Sequence, residues 1–353
     1  MGSVLLVGTA VTRPGALGTL FRSANGGNWE PAAGMPLNTG VQALTAHPGQ
    51  PGTVFAATRA GMYKSTDSGA SWNKLDVPSN NEEFWSVSIH PNKPDVIFAG
   101  VSSVGVYRSD DGGSSWRRVG SKDPMPELCD YSKAPKGVTS RLMRICFDPT
   151  NPDLMFGACE TNGMIVSEDG GETWYDSSNG LIELAEKNPS LHSAIITPNF
   201  TEGILDGHAV VISPEKPGVV FFACRMGLFS SPDKGKSWHN YDIGQFAPFS
   251  YCRDLRMAVD DPKTFYIPMS IGSRSDAGAF YRSTDMGVTW KRVDQPVTAK
   301  STIMSMNIHA TDPKKAIYLT RGGQIMWTED RCESWNEKQL PSEAGDGFCA
   351  AIL

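Results

Sequence analysis

Two arginine pairs with identical spacing are the residues of this sequence best suited to chemistry. Arg141 and Arg144 lie in the segment SRLMRI, and Arg253 and Arg256 lie in CRDLRM, so both segments have the pattern R-x-x-R. A guanidinium is a planar fork of N–H donors that matches the oxygens of carboxylates, phosphates and sulfates. The two pairs therefore indicate a site for a small anionic molecule.

The chain also offers groups for proton transfer between and beside these pairs. Asp206 and His208 lie in DGHAVV, and an imidazole near carboxylates can act as a general acid or base. Hydrolysis or elimination requires only such groups and positioned charge. The candidate catalytic residues are His208, Tyr251, Asp206 and Glu160. The candidate substrate-binding residues are Arg141, Arg144, Arg253, Arg256, Arg225 and Trp85.

A repeated turn motif indicates the frame that positions these residues. The pattern S-x-D-x-G-x-x-W is intact in five segments, for example in YRSDDGGSSW, where it comprises Ser109, Asp111, Gly113 and Trp116. Two altered copies, RSANGGNW and WTEDRCESW, complete a set of seven. Consecutive copies begin 42 to 64 residues apart, which lies within or above the range of blade-type repeats.

Each copy of this motif, here called a box, has a structural interpretation. The Ser hydroxyl and the Asp carboxylate are predicted to bond backbone amides within the turn. The glycine supplies a backbone angle that other residues resist, and the tryptophan packs back on the strands with its indole N–H bonded near the surface. We therefore interpret the boxes as staples of the fold, without a chemical role.

The segments around the boxes predict an all-β fold. Apolar runs such as FWSVSIHP and VIFAGV are bounded by turn residues, and four such strands per repeat are typical of a β-propeller. Seven boxes predict seven four-stranded antiparallel blades in one domain that spans residues 1–353. The C-terminal run, Cys349–Leu353, is predicted to pair with Ser3–Thr9, which closes the ring and removes exposed sheet edges.

The sequence pattern of the boxes resembles the Asp-box, or BNR, repeats of sialidases, sortilin-type receptors, xyloglucanases and photosystem assembly factors. The resemblance covers essentially the whole chain and implies the propeller fold. Because those relatives include enzymes, receptors and assembly factors, the resemblance does not choose among their functions. The sequence has no Arg-Ile-Pro motif of the sialidase type, and no catalytic residue is carried over.

The positions of the long connections predict which face of the propeller carries the functional site. Residues 117–140, 175–206, Ala10–Thr19 and Ser270–Gly278 all connect strands on the face opposite the boxes, and long loops are often functional. Within them, GLIELAEK is predicted to be a short helix that forms part of a lid. Aligning the innermost strands places Arg144 and Arg256 at one position of blades four and six. We expect the arginines and His208 to meet on the face opposite the boxes, which is called the inserted face below.

Two functions and one structural role follow from this arrangement. The first function is a cofactor-independent hydrolase or lyase that acts on a carboxylate or an acidic sugar in the central pocket. The alternative is a non-catalytic scaffold, receptor or assembly factor that binds a peptide or protein partner. In the structural role, Arg144 and Arg256 pair with Asp254, Asp206 or Glu160 and lock blades together, since a buried arginine is costly unless it is paired.

Composition sets further expectations. A net charge of −6 favours neither nucleic acid nor an anionic membrane surface as a partner, and no apolar run approaches the ~20 residues that cross a bilayer. The seven cysteines include no C-x-x-C pair, and no H-x-H or H-E-x-x-H spacing predicts a metal site. The start of the chain lacks a basic leader with a hydrophobic segment, so a cytoplasmic location is expected, or a secreted one if a leader was removed.

Overall fold

The computed structural model describes residues 2–120, 139–192 and 202–353. Within these ranges nearly all regular structure is β-strand. The helical segments there are α1 (Asn179–Lys187) and two 3-10 turns, at Pro189–Leu191 and Ile243–Gln245. No helix in the described part of the chain has the length and apolar character needed to cross a membrane.

The strands fall into four layers from the centre outward. The innermost strands are β4 (Val41–Ala46), β8 (Glu83–Ile89), β12 (Arg141–Phe147), β16 (Gly207–Ile212), the interrupted pair β20 (Tyr251–Cys252) and β21 (Arg256–Met257), β25 (Ile303–Ile308) and β29 (Asp346–Ile352). The second strands are β1 (Val4–Ala10), β5 (Val54–Thr58), β9 (Ile97–Ser102), β13 (Met155–Glu160), β17 (Val220–Cys224), β22 (Phe265–Ser270) and β26 (Ala316–Thr320). The third strands are β2 (Leu20–Ala24), β6 (Gly61–Ser65), β10 (Gly105–Ser109), β14 (Gly163–Ser167), β18 (Gly227–Ser231), β23 (Gly278–Ser283) and β27 (Gln324–Thr328). The outer strands are β3 (Glu30–Pro31), β7 (Asn73–Lys74), β11 (Arg117–Val119), β15 (Tyr175–Asp176), β19 (His239–Asn240), β24 (Lys291–Arg292) and β28 (Asn336–Gln339).

Antiparallel pairing of these strands confirms the all-β propeller. The described strands form seven four-layered groups, which is compatible with seven blades, numbered here from the blade that contains β1. A single residue pair, Arg141 with Ser102, joins blades three and four into one sheet. The assignment of residues 1–353 to one domain stays a prediction.

Packing between blades explains the continuous apolar runs of the second strands. Strands β5 and β17 are buried at every position, because each blade is covered by a neighbour on both faces. Phe55 of blade two, for example, packs in one cluster with Phe84 and Ile97 of blade three. Each interface between blades is thus a small hydrophobic core, and the blades are held in a fixed order around the axis.

The chain ends close the ring as the sequence predicts. Strand β29 pairs with β1 from Leu5 opposite Ile352 to Ala10 opposite Asp346. The amides of Val4 and Leu353 each donate to the carbonyl of the other residue, at 3.0 and 2.9 Å. Blade one is therefore built from both ends of the chain.

The intact boxes make the bonds predicted from their residue types. In blade three the Ser109 hydroxyl donates to the Asp111 carboxylate at 2.9 Å and accepts the amide of Gly113 at 2.8 Å. Asp111 also accepts the amide and the hydroxyl of Ser115, which lowers the pKa of Asp111 to about 2. The Trp116 indole N–H donates to the Gly113 carbonyl at 3.1 Å. The boxes thus satisfy their own polar groups.

The altered seventh box departs from the pattern in one bond. Cys332 takes the place of the glycine and holds a positive φ of 69°, and its amide still bonds the Thr328 hydroxyl. Trp335 donates its indole N–H to the carbonyl of Val293 instead of to its own box. The turn geometry therefore persists without the glycine.

Helix α1 is present where the sequence predicts it, but its place differs from the expected lid. Leu181 and Ala185 are buried in a hydrophobic cluster between blades four and five, together with Phe222 and Phe229. No residue of α1 lines the central cavity described below. The helix therefore buries one apolar side against the blades. Of the predicted long connections, residues 121–138 and 193–201 lie outside the described residues.

Deletion of residues 349–353 tests ring closure. The deletion removes the hydrogen-bonded partner of β1 and exposes a buried sheet edge, so we expect a large decrease in the melting temperature measured by circular dichroism. Deletion of residues 1 and 2, which precede the strand, is the control and should change the melting temperature little. A 349–353 deletion that melts like the full chain would contradict closure.

Ser109→Ala tests the staple role of the boxes. The substitution leaves the buried Gly113 amide without its acceptor, which should lower the free energy of unfolding by about 1–3 kcal/mol. Ser114→Ala, which removes an exposed hydroxyl of the same turn, is the control and should stay within about 0.5 kcal/mol of the parent. Urea denaturation measures both, and equal effects would refute the staple.

Candidate functional site

A ring of β-bulges forms the centre of the molecule. In six blades the innermost strand carries one extra residue relative to its partner strand, and these residues are Gln42, Trp85, Met143, His208, Met304 and Phe348. Blade six also has an irregularity between the residue pairs Cys252–Met269 and Arg256–Tyr266. There the innermost strand has three residues where its partner strand has two. A bulge bends its strand and redirects a side chain. All six extra residues, together with Arg253, line one central cavity of about 40 Å³.

The strand register corrects the alignment of the two R-x-x-R segments. In blades four and six, the last residue pairs between the innermost and second strands are Phe147–Met155 and Met257–Phe265. In both blades seven residues connect the two paired residues. Counting back three residues from Phe147 reaches Arg144, whereas counting back from Met257 reaches Asp254. Arg144 is therefore equivalent to Asp254 and not to Arg256. The ladder is interrupted beside Pro268, which has no N–H to donate, and sequence spacing alone does not reveal that break.

Three arginines and three carboxylates form an upper cluster toward the inserted face. Its members are Arg141, Arg225, Arg253, Glu160, Glu202 and Asp206. Glu160 binds Arg141 and also contacts Arg253 at 3.3 Å, and these two cations lower the pKa of Glu160 against the effect of burial. Arg225 Nη2 lies 2.7 Å from Asp206 and 2.8 Å from Glu202. The formal charges of the upper cluster balance.

His208 and Asp206 form a buried pair within reach of the upper cluster. His208 Nδ1 lies 2.8 Å from the Cys252 carbonyl oxygen, so Nδ1 carries the proton and donates it there. Nε2 faces Asp206 Oδ2 at 3.4 Å. Burial favours the neutral carboxyl, but His208, then Arg225 and Arg253, overcome that effect and lower the pKa of Asp206 to about 2. Asp206 is therefore a carboxylate at neutral pH.

The two aromatic candidates are covered by guanidiniums. Arg141 lies over the Trp85 ring at 4.2 Å, and Arg225 lies over the Tyr251 ring at 5.2 Å. Burial raises the pKa of Tyr251 to about 12, so its phenol stays protonated at neutral pH. Both rings support the arginines through cation–π contacts.

Arg144, Arg256 and Asp254 form a separate lower cluster. Asp254 is 2 % exposed and lies 3.0 Å from Arg144 Nη2 and 3.2 Å from Arg256 Nε. The same carboxylate accepts the amides of Leu255 and Met306. Among the residues that the structure describes, two guanidiniums thus share one carboxylate, and the lower cluster has one excess positive charge. Burial, with Arg144 as the next cause, lowers the pKa of Arg256 to about 10.

The lower cluster lies deeper than the sequence predicts. Every innermost strand runs from the inserted face to the box face, and Arg256 is the second-last residue before the box-face turn. Arg144 and Arg256 line the central cavity and also a second pocket at the box face. The expectation that all four arginines meet on the inserted face is therefore wrong for this pair. His208, Arg144 and Arg256 do line one cavity, while their roles stay a prediction.

Three of the predicted catalytic residues also have the donor types of a metal site. Ligand atoms of Glu160, Asp206 and His208 lie within 4.8 Å of one another. Both carboxylates, however, already bind arginines of the upper cluster, and those cations oppose a divalent ion. The arrangement therefore acts as an ion-pair network.

Several residues of the site have no signal in the sequence. The bulge residues Gln42, Met143, Met304 and Phe348 are ordinary strand residues in type, and only the register brings them to the cavity. From the sequence, Asp254 is predicted only as a structural partner of the arginines, yet it organises the lower cluster. The alternating pattern of a strand shows which side a residue faces, but it does not mark the bulge that reverses that side.

Comparisons with known proteins agree with the fold. A family model for Sortilin-Vps10, described as sortilin, neurotensin receptor 3, matches residues 18–133 and 278–349, slightly more than half of the chain. No curated protein matches the sequence.

Solved structures of propellers resemble the chain at low identity. A GH74 xyloglucanase from Xanthomonas campestris is 15 % identical, with a TM-score of 0.62 over 84 % of this chain and 45 % of that chain. YCF48 from Cyanidioschyzon merolae is 14 % identical, with a TM-score of 0.54 over 85 % of each chain. YCF48 bound to D1 peptide is 12 % identical, with a TM-score of 0.52 over 84 % and 80 %. This chain spans less than half the length of the xyloglucanase, and such identities show the fold alone.

Asp206→Asn tests the buried carboxylate through the pH dependence of stability. Because the pKa of Asp206 falls from 3.8 to about 2 on folding, the charged form contributes about 2 kcal/mol above pH ~5, and this is lost as the pH falls toward 2. We expect the difference in unfolding free energy between parent and variant to shrink by that amount between pH 5 and 2. Urea denaturation across this range measures it. A difference that is independent of pH would contradict the ion-pair account.

Proposed function

We propose that this chain, which belongs to the Sortilin-Vps10 family, is a binding protein for an anionic ligand. The fold of the family does not by itself identify a ligand, so the proposal rests on the charges at the centre of the propeller. The observation that carries the proposal is the lower cluster, in which Arg144 and Arg256 share the single carboxylate of Asp254. A second anionic group would neutralise the remaining charge.

The free donor of the lower cluster points to the same conclusion. Arg144 Nε, like Arg141 Nε and Arg225 Nε of the upper cluster, is buried and has no hydrogen-bond partner among the described residues, although a buried donor without a partner is costly. The pKa of Arg256 is lowered first by burial and then by the charge of Arg144, so the two guanidiniums are held together at a cost. If these arginines served only to lock blades, one of them would suffice for one aspartate. The second arginine is explained by an anion that binds both.

The size of the central cavity limits what can bind there. A volume of about 40 Å³ holds about three water molecules, or one carboxylate group, and it is too small for a sugar ring. The expected acidic-sugar substrate is therefore not what we propose for this cavity. The ligand places only its charged group between the arginines.

A non-catalytic function agrees with one structural neighbour. YCF48 has been solved with D1 peptide, which supports binding as a use of a propeller of this kind. A peptide or protein partner on the inserted face remains the alternative within the same class of function.

An enzyme is the second candidate, and one observation favours it. His208 Nε2 is buried, has no aligned hydrogen-bond partner among the described residues and faces the Asp206 carboxylate at 3.4 Å, as an acid–base pair would require. The other candidate groups are less available, because Glu160 is held by two arginines and Tyr251 stays protonated. Hydrolase or lyase activity that is lost in His208→Gln with the fold retained would move this candidate to first place.

Arg256→Gln tests the proposed function. In chloride-free buffer, isothermal titration with acetate, sulfate and phosphate should detect binding to the parent, and the variant should lose at least about 30-fold in affinity for the anion that binds. Without ligand the variant should be as stable as the parent or more stable, because it removes a charge that is disfavoured by burial and by Arg144.

Arg22→Gln is the matched control, because Arg22 donates to the Ser68 carbonyl at the periphery of blade one. It should leave anion binding unchanged. A parent protein that binds none of the three anions would overturn the proposal. An Arg256→Gln variant that melts well below the parent would instead support the blade-locking role.

A further inference from the structure

A second pocket lies directly beneath the lower cluster and opens on the box face. Its volume is about 380 Å³, within the range of small-molecule sites, and the ends of five successive innermost strands line it. We call this pocket the vestibule. Arg144 and Arg256 line both the vestibule and the central cavity, so the guanidiniums stand between the two spaces.

The wall of the vestibule is largely apolar. Ile89, Phe147, Val211 and Met257 line it and are partly exposed there. These residues lie at the last two positions of their strands, and each is also packed against a hydrophobic cluster between blades. The apolar surface is therefore contributed by four different blades and surrounds the opening.

The polar residues of the wall are already satisfied. The Thr45 hydroxyl donates to the Val87 carbonyl at 2.8 Å, and the Ser88 hydroxyl donates to the Ile145 carbonyl at 3.0 Å. Both bonds run from one blade to the next, so they serve the fold and offer no free donor to a ligand. A polar ligand body would lose its bonds to water in the vestibule without regaining them.

We infer that the vestibule binds an amphiphilic anion, with the anionic head between Arg144 and Arg256 and an unbranched apolar chain along Phe147, Val211 and Met257. The inference rests on the proposed function and adds the ligand class and the face of entry. A head group alone would leave the apolar wall in water, and a cationic amphiphile would be repelled by the excess positive charge of the lower cluster.

The inference makes chain length the decisive variable. Burial of each added methylene should tighten binding by roughly three- to fourfold until the vestibule is filled. An alkanol of the same length lacks the charge and should bind far more weakly than the carboxylate. The same residues thus predict both a dependence on the chain and a dependence on the head.

Titration of the parent with acetate, butanoate, hexanoate and octanoate, below their micellar concentrations, tests the inference, with octanol as the uncharged probe. We expect affinity to rise along the series and octanol to bind at least tenfold more weakly than octanoate. Arg256→Gln should weaken the binding of all four carboxylates at least about 30-fold.

Val211→Ser tests the wall without endangering the fold, because Ser88 and Thr45 occupy the same register position opposite Phe98 and Phe55. The variant should weaken octanoate several-fold more than acetate. Val259→Ser is the matched control, since Val259 is 51 % exposed and does not line the vestibule, and it should change neither affinity.

The outcomes separate this inference from the proposed function. If acetate binds through Arg256 but octanoate binds no more tightly, the amphiphile is overturned and the proposed function stands. If octanol binds as tightly as octanoate, the head recognition is overturned. If no anion binds, both proposals fall.

Discussion

The pairing of β29 with β1 is the interaction on which the rest of the structure depends. Hydrogen bonds between the two chain ends complete blade one and close the sequence of blades. Closure fixes the innermost strands around one axis, so that a residue of blade four can meet a residue of blade six across the channel, as Arg144 meets Asp254 at 3.0 Å. Without that ring, two charges 110 residues apart in sequence would have no defined distance.

The charged residues of the channel form the upper and the lower cluster, which differ in net charge. Toward the inserted face, each arginine of the upper cluster meets a carboxylate, and the Arg253–Glu160 pair joins blade six to blade four. Toward the box face, Arg144 and Arg256 share Asp254, and the excess charge is carried by two partly exposed side chains beside a small cavity. Ion-pair locking and anion binding are competing explanations for a buried arginine. In our proposal the first applies to the upper cluster and the second to the lower cluster of the same channel.

The boxes stabilise the face on which they lie, but they do not close that face to a ligand. Each intact box satisfies its own hydroxyl, carboxylate and indole N–H, and so these groups are unavailable for a ligand. The face that carries the boxes nevertheless contains the mouth of the vestibule, because the innermost strands end there. A face recognised by its structural motifs is therefore not excluded as a binding face.

The sequence by itself determined the repeat, the all-β class, the closing strand and the residue types that gather at the axis. These follow from local rules, since turn residues, apolar runs and repeat spacing act over a few positions. Only the tertiary structure decided which arginines are balanced and which face they approach. A one-residue bulge in each blade, and an interruption beside Pro268, shift the register in a way that composition does not mark, so Asp254 and not Arg256 stands opposite Arg144. The excess charge of the site is a consequence of that register.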